Sequence, residues 1–168
     1  MSTAENNLIN QIMSAFSRNI FPIECIIDSK FNTEYSEEAS RVEAYIRHVA
    51  SSGEDIDRSN SAQVAFIYLT KQASAYIFPR YLVSIIRSYV GDNFINTVVL
   101  NVLSQDPALQ RYDVYKDLRK YLLENYSAPE RACVCNYLKW YINIMSKNDA
   151  DMYVYGEQLH MAALLWCS

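Results

Sequence analysis

Glycine is scarce in this chain, three residues in 168 at positions 53, 91 and 156, and proline little commoner, with four at positions 22, 79, 107 and 129. So few turn formers exclude a many-stranded sandwich or barrel, in which tight turns recur after every short strand. No apolar run approaches the roughly 20 residues that a membrane-spanning helix requires. Basic excess is lacking too: the net charge is −4, the opposite of what a phosphate-binding surface needs, so nucleic acid is not an expected partner. Glycine-rich phosphate loops, GxSxG elbows, EF-hand loops and HExxH pairs are all absent.

Cysteine is present four times, at Cys25, Cys133, Cys135 and Cys167. Cys133 and Cys135 are two apart, which on a helix directs them to different faces, and neither a CxxC pair nor a nearby histidine completes a ligand set. The stretch from Met1 to Asn7 is polar and carries Glu5, with no basic segment or apolar core of the kind a signal peptide has. Together these features predict a soluble, cytoplasmic protein with reduced cysteines, no membrane contact, no metal and no cofactor.

What the chain does have is apolar residues at helical spacing. At 168 residues and 51% hydrophobic content it can bury one core without disulfides or metal, which makes residues 1–168 a single domain. Ser2 and Glu5 form a capping-box pattern ahead of Leu8, Ile9, Ile12, Met13 and Phe16, predicting a helix from about Thr3 to Ser17. Pro22 interrupts, and Ile20 to Ile27 reads equally as a short buried segment or a strand-like connector. Ser36 starts a helix from Glu37 to about Ala50 with Val42, Ile46 and Val49 inward, and Gly53 follows its end. The polar stretch from Gly53 to Ser61 reads as an exposed loop, the best place for mobility, with Ile56 its one apolar residue.

Beyond it, Ala62 to Leu69 is apolar enough to be buried, and Thr70 caps a helix through Ala73, Tyr76, Ile77, Leu82, Ile85 and Ile86. Pro79 in its middle predicts a kink or a break, since proline lacks the N–H for the i−4 carbonyl and disfavours helical geometry at Phe78. Gly91 is the expected stop and Asp92 or Asn93 the next cap. Further helices are expected around Phe94 to Leu103, around Val114 to Leu122, from the Ser127 and Glu130 capping box with Pro129 in its first turn, and from Ala150 to Trp166 with Gly156 tolerated inside. The fold class is all-α, a compact bundle of seven or eight helices.

Some of these residues carry a resemblance. Ala15-Phe16, Pro22, Leu69-Thr70, Ala73, Tyr76, Phe78-Pro79, Tyr81-Leu82 and the run Ser127-Ala128-Pro129-Glu130-Arg131-Ala132 leading into Tyr137-Leu138 resemble a family of small bacterial proteins of unknown function. The resemblance covers about two thirds of the chain in outline and implies a helical fold and no activity. Glu130 and Arg131 are accounted for by capping and by charge at a helix N-terminus, and no functional role comes with them.

Function then rests on charge and aromatics. Carboxylates cluster at Glu34, Glu37, Glu38 and Glu43 and again at Glu54, Asp55 and Asp57, which reads either as a solvated face with first-turn acids or as a patch that attracts a basic protein. Fourteen tyrosines, concentrated after residue 70, suit helix boundaries and binding surfaces alike. The two histidines, His48 and His160, have no metal-ligating neighbour at helical spacing. The leading expectation is a non-enzymatic bacterial immunity protein that neutralises a toxin effector with a basic surface, contacting it through Glu34, Glu37, Glu38, Glu43, Glu54, Asp55 and Asp57. A small enzyme centred on His48, His160 or Cys135 is the alternative, and a self-associating adaptor the third reading.

Overall fold

The computed structural model describes residues 1–17, 19–31, 36–57, 59–88, 94–104, 113–147 and 149–168. Its helices begin where capping side chains stand. Glu5 N donates to Ser2 Oγ at 3.3 Å while Ser2 N donates to Glu5 Oε2 at 2.6 Å, which opens α1 (Thr3–Ala15). Ser36 Oγ accepts from Ala39 N to open α2 (Glu37–Ser52), and Gly53 closes it in the left-handed conformation at φ 75°, a turn disfavoured for any residue with a Cβ. Ser59 caps α3 (Asn60–Tyr68) and the Thr70 hydroxyl accepts from Ala73 N at the start of α4 (Lys71–Ser88). α5 (Phe94–Leu103), α6 (Asp113–Asn125), α7 (Ala128–Met145) and α8 (Asp149–Trp166) complete eight helices among the described residues. The expected cap and stop between α4 and α5, Gly91 with Asp92 or Asn93, lie outside the described residues.

α4 is the central element. It buries Ala73, Ser74, Ile77, Phe78, Pro79, Tyr81, Leu82, Val83, Ser84, Ile85 and Ile86, too many for one stripe, because α1, α5 and α6 all pack on it. α2 lies on α3, while α7 packs on both α1 and α8. The interior between them is filled by Ile12, Ile46, Phe66, Phe78, Tyr81, Leu82, Leu103 and Leu138. Two large polar side chains buried within it are matched: the Tyr81 hydroxyl donates to Ala62 O at 2.7 Å and Trp166 Nε1 to Leu103 O at 3.0 Å. Arg119 covers the end of α5, donating to Ser104 O and to Asn101 O, which places a cation at the negative end of that helix.

α4 runs through Pro79 without a break. Proline at that position leaves the carbonyl four residues earlier, on Ala75, without its usual N–H donor. The Tyr126 hydroxyl, from the junction of α6 and α7, donates to that carbonyl at 2.8 Å. The group left without its helical donor is therefore satisfied from another element, and the helix continues.

The connector after α1, open between two readings from sequence, is strand-like at one place. Ile27 and Leu69 form an isolated antiparallel bridge, with Asp28 N donating to Tyr68 O at 2.8 Å and Thr70 N to Ile26 O at 2.9 Å.

The pairing of Tyr126 with Pro79 has a measurable signature. Tyr126→Phe removes the donor from a part-buried carbonyl, lowering stability by about 0.5–1.5 kcal/mol in denaturant unfolding. In a Pro79→Ala background the backbone N–H of residue 79 takes over, and the same Tyr126→Phe change costs less than half as much; equal costs in the two backgrounds would refute the account. Alkaline pH tests the buried phenols together. Burial pushes Tyr81 and Tyr126 well above the ordinary tyrosine value. Stability is thus full below pH ~10 and falls as pH rises past it, by up to roughly 1.4 kcal/mol per pH unit for each of the two, which melts between pH 8 and 11 measure.

Candidate functional site

α2 and the segment after it hold six of the seven carboxylates singled out from sequence; Glu34 lies outside the described residues. They do not form one open patch, because each engages a different neighbour. Glu37 pairs with Arg41 and Glu43 with Arg47 at 2.7 Å, both one turn apart on α2. Glu38 turns to α3 and accepts the Tyr68 hydroxyl at 2.6 Å and Asn60 Nδ2 at 3.1 Å. Glu54 meets His48 at 3.0 Å and Asp55 meets Arg87 of α4. Asp57 Oδ1 accepts Ser59 N at 3.0 Å, and Asp57 N donates to the Tyr45 hydroxyl at 3.0 Å.

These contacts hold Gly53 to Asp57, the first part of the stretch to Ser61 that reads from sequence as the best place for mobility; at its far end Asn60 and Ser61 belong to α3 instead. Ile56 is buried and its N–H donates to Ser84 Oγ in the middle of α4 at 2.8 Å, while Arg80 Nη1 reaches Val49 O and Glu54 O. The segment is exposed, as expected, but it is tied to α2 and α4. Asp57 is partly buried, which raises its pKa, yet hydrogen bonds from Ser59 and Tyr45 outweigh burial and hold its carboxyl below the usual aspartate range. Tyr45 is shifted upward, mainly by burial and also by the Asp57 charge.

Next to α2 the connector presents apolar side chains to solvent. Ile20 is 86% exposed and Ile23 66%. The backbone that carries them is held, since Arg47 Nη2 donates to Ile23 O at 3.1 Å while also binding Glu43, and the Phe21 ring meets the Tyr76 ring at 5.1 Å. Ile23 is thus exposed on a backbone anchored to α2, with Glu24 next to it in sequence and Glu43 on the same arginine, while Ile20 lies further along the connector near Tyr76.

Neither histidine enters a pocket described here. His48 and its partner Glu54 are both more than half exposed, and His160 is exposed. The cysteine expectation is corrected: Cys135 and Cys167 form a disulfide, with Cα atoms 5.1 Å apart. Their spacing of 32 residues carried no signal of it; the packing of α8 on α7 brings the two together. Cys135 is consequently not an available thiol. Cys133 is free but buried, its Sγ donating to Gln11 O at 3.5 Å, and burial followed by the Glu130 charge raises its pKa, so it is a poor nucleophile. Cys25 is free and exposed. No group of three metal-ligating side chains converges among the described residues, and no helix there is long and apolar enough to cross a membrane.

A second site lies where the connector meets α4, α6 and the start of α7. A pocket of about 200 Å³ is walled by Asn19, Gln72, Tyr76, Tyr121 and Asn125, with Glu130 at its base and Ile20 on its edge. Glu130 is only 7% exposed. Its Oε2 accepts Ser127 N at 2.7 Å and Ser127 Oγ at 2.6 Å, as the capping reading implies, but its Oε1 also accepts Asn19 Nδ2 at 3.0 Å across 111 residues. The capping box was legible from the Ser127 and Glu130 spacing; nothing local in sequence marks Glu130 as a carboxylate walled into a pocket.

Comparison of the chain with protein-family models, with curated proteins and with solved structures finds no match. The resemblance read from the Tyr76 to Leu82 segment and the Ser127 to Ala132 helix start therefore gains no family from them.

Two measurements test this geometry. Asp57 has a lowered native pKa, so its contribution is complete above the unfolded aspartate value near pH 4 and is lost as pH falls below it toward the native value; amide exchange at Asp57 and Ser59 accelerates over that window while exchange at Leu82 does not. Reducing the disulfide, or replacing Cys167 with Ser in the full chain, lowers stability by roughly 2–4 kcal/mol, and identical melts with and without reductant would rule the bond out in solution.

Proposed function

We propose that this protein works by binding another protein that presents a basic surface, without catalysing a reaction, and that it acts as an immunity protein neutralising a toxin effector. The observation that carries the binding reading is the held connector, with Ile20 and Ile23 exposed along it and Glu24 and Glu43 next to Ile23. Exposed apolar side chains on a mobile segment would lose much of their binding free energy to ordering; on a backbone fixed by Arg47 that loss is already made. The ion-paired carboxylates of α2 and residues 54–57 supply the rim. Their internal partners fix their orientation, and an excess of acids over the surrounding arginines favours approach of a cationic surface. Covering a toxin's basic active site requires a stable surface and no catalytic group. The Cys135–Cys167 bond bears on where the encounter happens, since a disulfide persists in an oxidising compartment and opens in a reducing one.

The test is co-expression of the tagged chain with the product of the neighbouring gene. The expected result is co-purification, with growth arrest by the neighbour alone and rescue by the pair. In that complex Ile20→Asp and Ile23→Asp weaken affinity by roughly 10-fold or more through the dissociation rate. Glu37→Lys and Glu54→Lys slow association several-fold and flatten its salt dependence. Absence of both a complex and toxicity would overturn the immunity reading.

A further inference from the structure

The pocket above Glu130 has an unusual balance of donors and acceptors. Asn19 Nδ2 faces the Glu130 carboxylate and Asn125 Nδ2 donates to Tyr121 O at 2.8 Å. Both partners can only accept, so the orientation of each amide is settled, and the oxygens left over are Asn19 Oδ1 and Asn125 Oδ1. Neither has a partner among the described residues. Glu130 Oε1 accepts one hydrogen bond and has capacity for a second. The Tyr76 and Tyr121 hydroxyls and the Gln72 amide, also without partners there, can serve as acceptors too. No fixed side-chain donor points the other way.

The charge agrees with this inventory. Glu130 is buried, and no lysine or arginine among the described residues pairs with it; Arg131, its neighbour in sequence, turns away to Leu123 O. The α7 N-terminus offsets part of the negative charge. What remains still acts on the surroundings: after burial, Glu130 is the next cause of the raised pKa values of Tyr126 and Cys133. Tyrosine rings at the wall add faces that attract cations. At about 200 Å³ the space is smaller than the roughly 300–1,000 Å³ pockets that enclose whole small-molecule ligands, and suits a head group.

We propose that this pocket binds an organic cation head group, a guanidinium or alkylammonium, which donates to Glu130, Asn19 and Asn125 while lying against Tyr76 and Tyr121. The inference is independent of the protein-binding proposal: the same cation can come from a free small molecule or from an arginine of a partner.

The experiment is an NMR titration of the full-length protein with three probes. Agmatine carries a guanidinium and a terminal ammonium on a four-carbon chain, N-butylurea is an uncharged isostere of its guanidinium end, and N-acetyl-arginine N-methylamide presents the guanidinium alone as a peptide does. Agmatine is expected to shift resonances of Asn19, Tyr76, Tyr121 and Asn125 with a Kd on the order of 1 mM, and N-butylurea to leave them in place. Glu130→Gln retains a capping acceptor at that position yet removes the charge, and weakens agmatine roughly 10-fold or more. Asn125→Ala, at an exposed position, weakens it several-fold and serves should Glu130→Gln fail to fold. Capped arginine binding as tightly as agmatine assigns the site to a partner's side chain, and clear preference for agmatine assigns it to a free cation. No shifts with agmatine, equal shifts with N-butylurea, or unchanged affinity in a folded variant would each overturn the proposal, whatever the outcome of co-expression.

Discussion

The hydrogen bond from the Tyr126 hydroxyl to the Ala75 carbonyl is the contact on which the arrangement of helices depends. α4 is buried along most of its length and carries a proline in its middle. Without an outside donor the freed carbonyl, part-buried at the wall of the Glu130 pocket, would lose its protein partner, a cost of about 0.5–1.5 kcal/mol in a protein whose whole stability is about 5–15. The donor is not local. Tyr126 stands between α6 and α7, its ring against Phe16 at the end of α1 at 4.9 Å and against Trp166 at the end of α8 at 6.5 Å. One phenol thus completes α4 and brings four other elements to the same place. The Glu130 pocket is built on that junction.

The charged residues follow a different logic. The α2 carboxylates and those after it are engaged with neighbours at short range, and the ion pairs of Glu37, Glu54 and Asp55 are exposed, where such pairs contribute only ~0–1 kcal/mol each. Their effect is geometric. Arg47 holds both Glu43 and the Ile23 carbonyl, and so sets where the connector runs. Arg87 and Ser84 hold the segment after Gly53 against α4. Glu130 differs from all of these in being buried with no cation, and a buried carboxylate in that state draws far more from its surroundings than an exposed one.

Much of the local structure was legible. Ser2 with Glu5, Ser36, Gly53, Thr70, and Ser127 with Glu130 start or stop helices where their side-chain chemistry says they should, since a cap acts within one turn of chain. The inward residues Ile12, Val42, Ile46 and Leu138 follow from helical spacing for the same reason. Of the kink or break expected at Pro79, the break does not occur, and the donor that serves the freed carbonyl lies 47 residues further on, at Tyr126. The reduced state expected for Cys135 failed because its partner lies just past the end of another helix, α8. The carboxylates looked like one cluster along the chain, yet on α2 neighbouring positions point in different directions and find different partners.

By itself, then, the sequence determined that this chain is all-helical, where its caps fall and which faces turn inward, because those properties arise from interactions spanning a few residues. The tertiary structure alone decided that α4 survives its proline, that Cys135 meets Cys167, that Arg47 holds the connector at Ile23, and that Glu130 closes the base of a pocket rich in acceptors. Each joins groups distant along the chain, and only the packing of helices, driven by burial of apolar area with no directional preference, settles which distant groups meet.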